Sequence, residues 1–317
     1  VSGFFDGAPD RLVLPDGASL AYGCFGAPYG APAVFLHGGP GGGTSRGALG
    51  FFDLARDRVV VFDQRGCGRS RPLADQPGDV GDQSLDQLVD DLERLRARLG
   101  FARWLVVGVS WGCTLGMAYA AAHPDRVSGL VFAAVNLATA RDVRWMTEDL
   151  RAVFPVAWRA LRAAVRADLA DLPLVDAYAL MLTDPDLNIR AAAAAAWCAW
   201  EDAHVSLSPG HQPYAGFDEP AFRERFARLV THHWRTAAAP QRERALTASD
   251  QWGKLPAAFI HGRYDISSPL ETVLALVDRW PRATLQVLEH TGHGGPGEFP
   301  EAVRAAVARL QAAATSA

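Results

Sequence analysis

The sequence predicts a doubly wound α/β fold: a mostly parallel sheet with helices on both faces and a helical cap inserted late in the chain. Three observations carry the prediction. Short, continuously apolar runs such as Arg58-Val59-Val60-Val61-Phe62 and Trp104-Leu105-Val106-Val107 read as strands buried on both faces. These runs alternate with helical periodicity, as parallel strands joined by crossover helices require. Residues 137–250 then break the alternation with an Ala-, Arg-, Trp- and Leu-rich block that is helical in period, as at 157–167 and 190–203. The expected organisation is an α/β domain from 1–136 and 251–317, with a helical cap domain from 137–250. A chain of 317 residues is long enough for both.

The elements follow in order. Leu12-Val13-Leu14 and Ser19-Leu20-Ala21-Tyr22 flank Pro15-Asp16-Gly17, a hairpin signal that gives the sheet an antiparallel start. Ala33–Leu36 is a strand running into a glycine-rich loop, and Arg58–Phe62 is a strand running into another. Ser84 and Gln87 form a capping box ahead of a helix over 85–99, whose apolar face is Leu85, Leu88, Leu92, Leu95 and Leu99; Gly100 ends it. The strand at 104–107 leads through a tight turn into a helix that stops at His123-Pro124. Gly129–Ala134 is the next strand, Ala257–Ile260 and Thr284–Leu288 follow the cap, and helices are expected near 270–279 and 298–313.

Composition narrows the function classes. A formal net charge of −4, with a single lysine at Lys254, gives no reason to expect a nucleic acid or an anionic membrane as partner. Cys24, Cys67, Cys113 and Cys198 are widely spaced, against a disulfide framework or a zinc site. No apolar run approaches the roughly 20 residues of a membrane span, and Val1–Asp6 lacks the pattern of a secretory leader. The expected location is the cytoplasm. No G-x-x-x-x-G-K-[ST] and no G-x-G-x-x-G after a strand occurs, so no cofactor is expected.

Gly108-Val109-Ser110-Trp111-Gly112 carries the chemistry. A G-x-S-x-G between strand and helix is a nucleophile elbow, which exposes the serine Oγ and aims the next backbone N–H at the same spot. A serine hydroxyl needs a base, and the base needs an orienting acid; in this arrangement the chain order is Ser, acid, His. Asp265 follows the strand at 257–260, and His293 lies in the loop after 284–288. His290 competes as base and Glu289 as orienting acid, each less well placed, while His261 reads as packing at its strand end. The oxyanion hole is assigned to the backbone N–H groups of Gly39, in the loop His37-Gly38-Gly39-Pro40-Gly41, and Trp111. His37 reads as an anchor for that loop.

Taken with Asp63-Gln64-Arg65-Gly66-Cys67-Gly68-Arg69-Ser70, these motifs resemble the proline iminopeptidase family of α/β-hydrolases. The match continues through His123-Pro124, Gly262–Asp265 and Gly292-His293. Within the cap it takes in Phe154-Pro155 with Trp158 and Trp197-Cys198-Ala199-Trp200-Glu201. The resemblance implies an α/β-hydrolase fold and release of an N-terminal residue, often proline, from a peptide or amide. It implies Ser110 as nucleophile, His293 as base and Asp265 as orienter, with Asp63 and Arg65 stitching their loop to the glycine loop. In that family, cap carboxylates hold the substrate's free amine. Glu201 after Trp200 matches one of them. Val230 in Phe226–Trp234 stands where the family segment F-A-R-I-E-N-H-Y-F has the other. One negative charge is therefore missing from the expected amine site, unless Asp202 or Glu148 supplies it.

The expected activity is cofactor-independent serine hydrolysis of a small-molecule or short-peptide substrate with a free amine, releasing an aminoacyl residue. The expected substrate-binding residues are Glu201, Trp200 and Val230. The missing carboxylate and apolar cap suit a bulky leaving group, such as an aminoacyl-protected natural-product intermediate. An esterase or thioesterase on the same residues, and a non-catalytic ligand-binding homologue, are the alternatives. Haloalkane dehalogenation would need a carboxylate where the elbow has Ser110.

Overall fold

The computed structural model describes residues 3–75, 80–81, 83–236 and 252–315. Each apolar run of the sequence becomes a strand: β1 (Asp10–Val13), β2 (Ser19–Gly26), β3 (Ala31–Leu36), β4 (Asp57–Phe62), β5 (Trp104–Val109), β6 (Val127–Ala133), β7 (Ala257–Gly262) and β8 (Ala283–Leu288). Among the described residues these eight form one sheet, ordered β1-β2-β4-β3-β5-β6-β7-β8. The β1–β2 and β2–β4 pairings are antiparallel and every other pairing is parallel. The hairpin closes as its residues dictate. Gly17 takes φ +87°, and Asp16 Oδ1 accepts a hydrogen bond from the Ala18 N–H at 3.0 Å.

The strands are apolar throughout because both faces are covered. Val34, Leu36, Val60, Phe62, Val106 and Phe132 pack on one side. Their immediate neighbours Ala33, Phe35, Val59, Val61, Val107 and Val131 pack on the other. Helices α1 (Leu85–Arg98) and α2 (Trp111–Ala122) cover the first face together with α8 (Leu270–Val277), and α9 (Glu298–Thr315) covers the second. Ser84 caps α1 by accepting from the Gln87 N–H at 3.1 Å. The Gln87 amide donates to Asp91 at 3.2 Å rather than completing the expected box. Asp91 is a buried carboxylate bonded to Arg65, and a charged acceptor is the stronger attraction for the amide.

Among the described residues, five α-helices lie between β6 and β7: α3 (Ala140–Thr147), α4 (Pro155–Ala163), α5 (Leu174–Met181), α6 (Leu187–Val205) and α7 (Pro220–Arg235). They share a core of their own that includes Tyr178, Trp197, Trp200, Phe226, Val230 and Trp234. This insertion is docked on the sheet domain by directional bonds. The Trp145 indole donates to the Ile266 carbonyl at 2.7 Å, Arg225 pairs with Asp75 at 2.6 Å, and Arg228 donates to the Ala74 carbonyl. Leu229 of α7 sits so close to Gly41 that a Cβ there would come within 2.7 Å of it. The expected domain boundary at 250/251 lies outside the described residues. Among the described residues no helix is long and apolar enough to cross a membrane.

Candidate active site

Parallel strands deliver their following loops to one edge of the sheet, the usual place for a site in such folds. Ser110 follows β5, Asp265 follows β7 and His293 follows β8. Ser110 holds φ 56°, ψ −123°, a conformation that non-glycine residues rarely adopt and that persists only when its surroundings enforce it. They do so here through two glycines. A Cβ on Gly108 would lie 2.5 Å from the Gly112 carbonyl oxygen, and one on Gly112 would overlap the Leu36 carbonyl oxygen. The Ser110 N–H donates to the Ala133 carbonyl at 3.0 Å, pinning the turn to β6.

His293 Nε2 lies 2.9 Å from Ser110 Oγ. Its Nδ1 lies 3.0 and 2.9 Å from the two Asp265 oxygens. A carboxylate only accepts, so Nδ1 carries the proton and Nε2 is free to receive one from the serine. Asp265 is buried, and its Oδ1 also accepts from the Ser267 N–H at 3.2 Å. Burial is the largest influence on Asp265 and would raise its pKa; the facing His293, then His261 and the Ser267 N–H, outweigh it and hold the carboxyl below its ordinary value. Burial likewise acts most strongly on His293, downwards, but the charge and hydrogen bond of Asp265 and the charge of Glu201 together leave its pKa raised.

The competing groups stand elsewhere. Glu289 is exposed and paired with Arg263 at 2.8 Å, and His290 is exposed. His261 lies in β7, accepting from the Val135 N–H at Nδ1 and bonding the Ser268 carbonyl through Nε2. Burial raises the thiol pKa of Cys113 and Cys67, which keeps both sulfurs protonated.

The glycine loop lies directly against the serine: a Cβ on Gly38 would be 3.0 Å from the Ser110 Cβ. Gly39 holds φ +117°, and a Cβ there would lie 2.6 and 2.7 Å from the Gly41 and Gly42 nitrogens. His37 anchors the loop, its Nε2 accepting from the Gln64 N–H at 3.1 Å, and the Gln64 amide donates to the His37 carbonyl at 3.0 Å. The same Gln64 side chain accepts from the Trp111 indole at 3.1 Å, so one residue ties the glycine loop to the elbow. Asp63 stitches its loop to the glycine loop by accepting from the Thr44 N–H at 2.7 Å. Arg65 does not share that task. It turns to Asp91 and Asp16, because those carboxylates of α1 and the hairpin offer it charge-assisted bonds that backbone carbonyls cannot match.

A cavity of about 350 Å³ opens above Ser110 and His293, with Glu201 and Asp202 of α6 on its wall beside Phe217, Phe226 and Trp234. Glu201 Oε1 accepts from the Trp197 indole at 2.9 Å, and Oε2 lies 3.1 Å from His204 Nε2. Trp200 is not on this wall. Its indole donates to the Met146 carbonyl at 3.1 Å within the helical core, because on α6 it points about a quarter-turn away from Glu201. Val230 is also fully buried in that core, between Phe226 and Trp234 on one helix face. Of the two substitutes for the missing carboxylate, Asp202 lines the cavity and Glu148 does not.

Sequence reasoning gave no role to His204 and Ser267, and named Gln64 and Trp197 only within the matched motifs. Trp197 and His204 lie four before and three after Glu201, the spacing of neighbours on a helix face, so they could have been found. Ser267, 63 residues from His204, carried no such signal.

A family model for the alpha/beta hydrolase fold matches residues 32–300. The chain is 38% identical over 285 residues to a proline iminopeptidase of Xanthomonas citri, covering 89% of each. It is 36% identical over 297 residues to a proline iminopeptidase of Arabidopsis thaliana, covering 92% of this chain and 77% of that protein. The crystal structure of a proline iminopeptidase from Mycobacterium smegmatis superposes with a TM-score of 0.63 at 23% identity, covering 97% of this chain and 98% of the other. At that identity the likeness shows the fold alone.

Proposed function

The chain belongs to the proline iminopeptidase family of α/β hydrolases, and from that premise we propose that it removes an N-terminal proline or other small aminoacyl residue from a peptide or amide. Ser110 Oγ attacks the carbonyl carbon as its proton passes to His293 Nε2. The oxyanion so formed accepts from the backbone N–H groups of Gly39 and Trp111. Collapse of the tetrahedral species breaks the C–N bond, and His293 returns its proton to the departing amine. Water, deprotonated by the same imidazole, then releases the acyl group from Ser110. Asp265 keeps the imidazole oriented and stabilises its charge.

The observation that carries the substrate class is Glu201 on the wall of the cavity that holds Ser110 and His293. A protonated amine leaving water needs an opposite charge, and Glu201 offers it. Asp202 supplies a second acidic group where the Val230 position does not. The aromatic walls favour a bulky apolar leaving group, and a small-molecule amide fits them as well as a peptide does. A cytoplasmic setting accords with four free cysteines.

The test compares proline p-nitroanilide, its N-acetylated form and p-nitrophenyl acetate. The proposal expects hydrolysis of the first to be far the most efficient. A preference for the amine-free ester favours the esterase reading and rejects this one.

A further inference from the structure

Glu201 is held from both sides. The Trp197 indole donates to Oε1 at 2.9 Å, and His204 Nε2 stands 3.1 Å from Oε2. Because the carboxylate only accepts, His204 Nε2 must donate. In the neutral imidazole Nδ1 is then an acceptor, and Ser267 Oγ, at 2.9 Å, is its donor. The other neighbour of that hydroxyl, the His204 carbonyl, is farther away at 3.5 Å. Each Glu201 oxygen has spent one acceptor direction on the clamp and keeps another for a ligand. His204 is itself buried and packed edge-on against Trp200, with ring centroids 5.8 Å apart, so the ring has little freedom to swing.

The clamp ends where the proton relay begins. Ser267 holds His204 by its side chain and donates its backbone N–H to Asp265 Oδ1. The segment between them is fixed by the Trp145 indole on the Ile266 carbonyl. A continuous chain of bonds thus runs from Glu201 through His204 and Ser267 to Asp265, His293 and Ser110.

We propose that His204 is a positioning residue for substrate selection: through Ser267 it fixes the Glu201 carboxylate at a set distance from the Ser110 hydroxyl, so that acyl groups bearing a free amine next to the carbonyl are bound in register for attack. This rests on the reading of Glu201 as the counter-charge of that amine. His204 touches neither reacting atom; it acts through Glu201.

The experiment measures kcat and KM of the full chain for proline p-nitroanilide and p-nitrophenyl acetate in His204→Phe, His204→Gln, Ser267→Ala and Glu201→Gln. Loss of a hydrogen bond to a charged group predicts that His204→Phe lowers the anilide-to-acetate ratio of kcat/KM about ten- to a hundredfold, mainly through the anilide KM. His204→Gln, which can still donate to Glu201 and accept from Ser267, should recover most of the ratio. Ser267→Ala, which keeps the N–H to Asp265, should lower it in the same direction and guards against a misfolded His204→Phe. An unchanged ratio in both His204→Phe and Ser267→Ala, with Glu201→Gln still shifting it, overturns the role of His204 alone. An unchanged ratio in Glu201→Gln overturns the amine reading and this inference with it.

Discussion

The side chain of Gln64 accepts the Trp111 indole N–H at 3.1 Å while its amide donates to the His37 carbonyl at 3.0 Å. The two segments proposed to supply the oxyanion donors are thereby locked to each other, although 74 residues separate His37 from Trp111. Replacing Gln64 by Met keeps the volume and removes both bonds. Misplacement of a donor by a fraction of an ångström predicts a fall in kcat of about ten- to a hundredfold with little change in KM. Steady-state kinetics would decide it, and an effect confined to KM would contradict the role.

Ser110→Ala should lower kcat by about 10⁴–10⁶ without loss of folding. A fluorophosphonate should label the parent chain at Ser110 and leave the variant unlabelled. Equal labelling of both would remove Ser110 from the reaction.

His293 must be neutral to take the serine proton, and although burial lowers its pKa, the charge and hydrogen bond of Asp265 and the charge of Glu201 outweigh it and leave it above the ordinary 6.5. kcat/KM should rise with pH through an apparent pKa above 6.5, and activity should be lost as the imidazole becomes protonated below it. Asp265→Asn removes the charge that raises this value, so the acidic limb should move to lower pH while kcat drops by about 10⁴. A pH–rate profile that stays flat down to pH 6 in the parent chain would be incompatible with this arrangement.

Glu201→Gln keeps the size of the side chain and removes its charge. The KM for proline p-nitroanilide should rise about ten- to a hundredfold, with a smaller effect on an ester that lacks the amine. A matching loss on both substrates would make Glu201 a purely structural residue.

Gly112→Ala tests the packing beneath the elbow, since its Cβ would overlap the Leu36 carbonyl oxygen of the adjacent strand. Relief requires α2 to shift away from β3, which predicts a loss of about 1–3 kcal/mol, read as a lower thermal midpoint. An unaltered midpoint with full activity would show that the turn is looser than its geometry.

Much of the fold was legible because its signals are local. Val59–Phe62 and Leu105–Val107 are apolar at every position, and that pattern is stable only between two covered faces. Ser110 was legible because the glycines around it answer a steric demand within five residues. Asp265 was legible as the first acid after its strand, and His293 as a histidine among glycines in the loop after the last strand, although His290 precedes it.

Local sequence thus encodes the strand–helix succession, the strained serine turn and the loops from which an acid and a base could reach it. Each depends on residues close together in the chain. Tertiary structure alone decided which groups meet across long separations: that Arg65 serves α1 and the hairpin, that Trp200 and Val230 face the helical core, and that His204 finds Ser267. Those outcomes turn on how the inserted helices rotate and settle on the sheet, and a small rotation about a helix axis exchanges one side chain for its neighbour at the cavity wall. No local pattern in the chain encodes that rotation; it is set by the packing of all the faces at once.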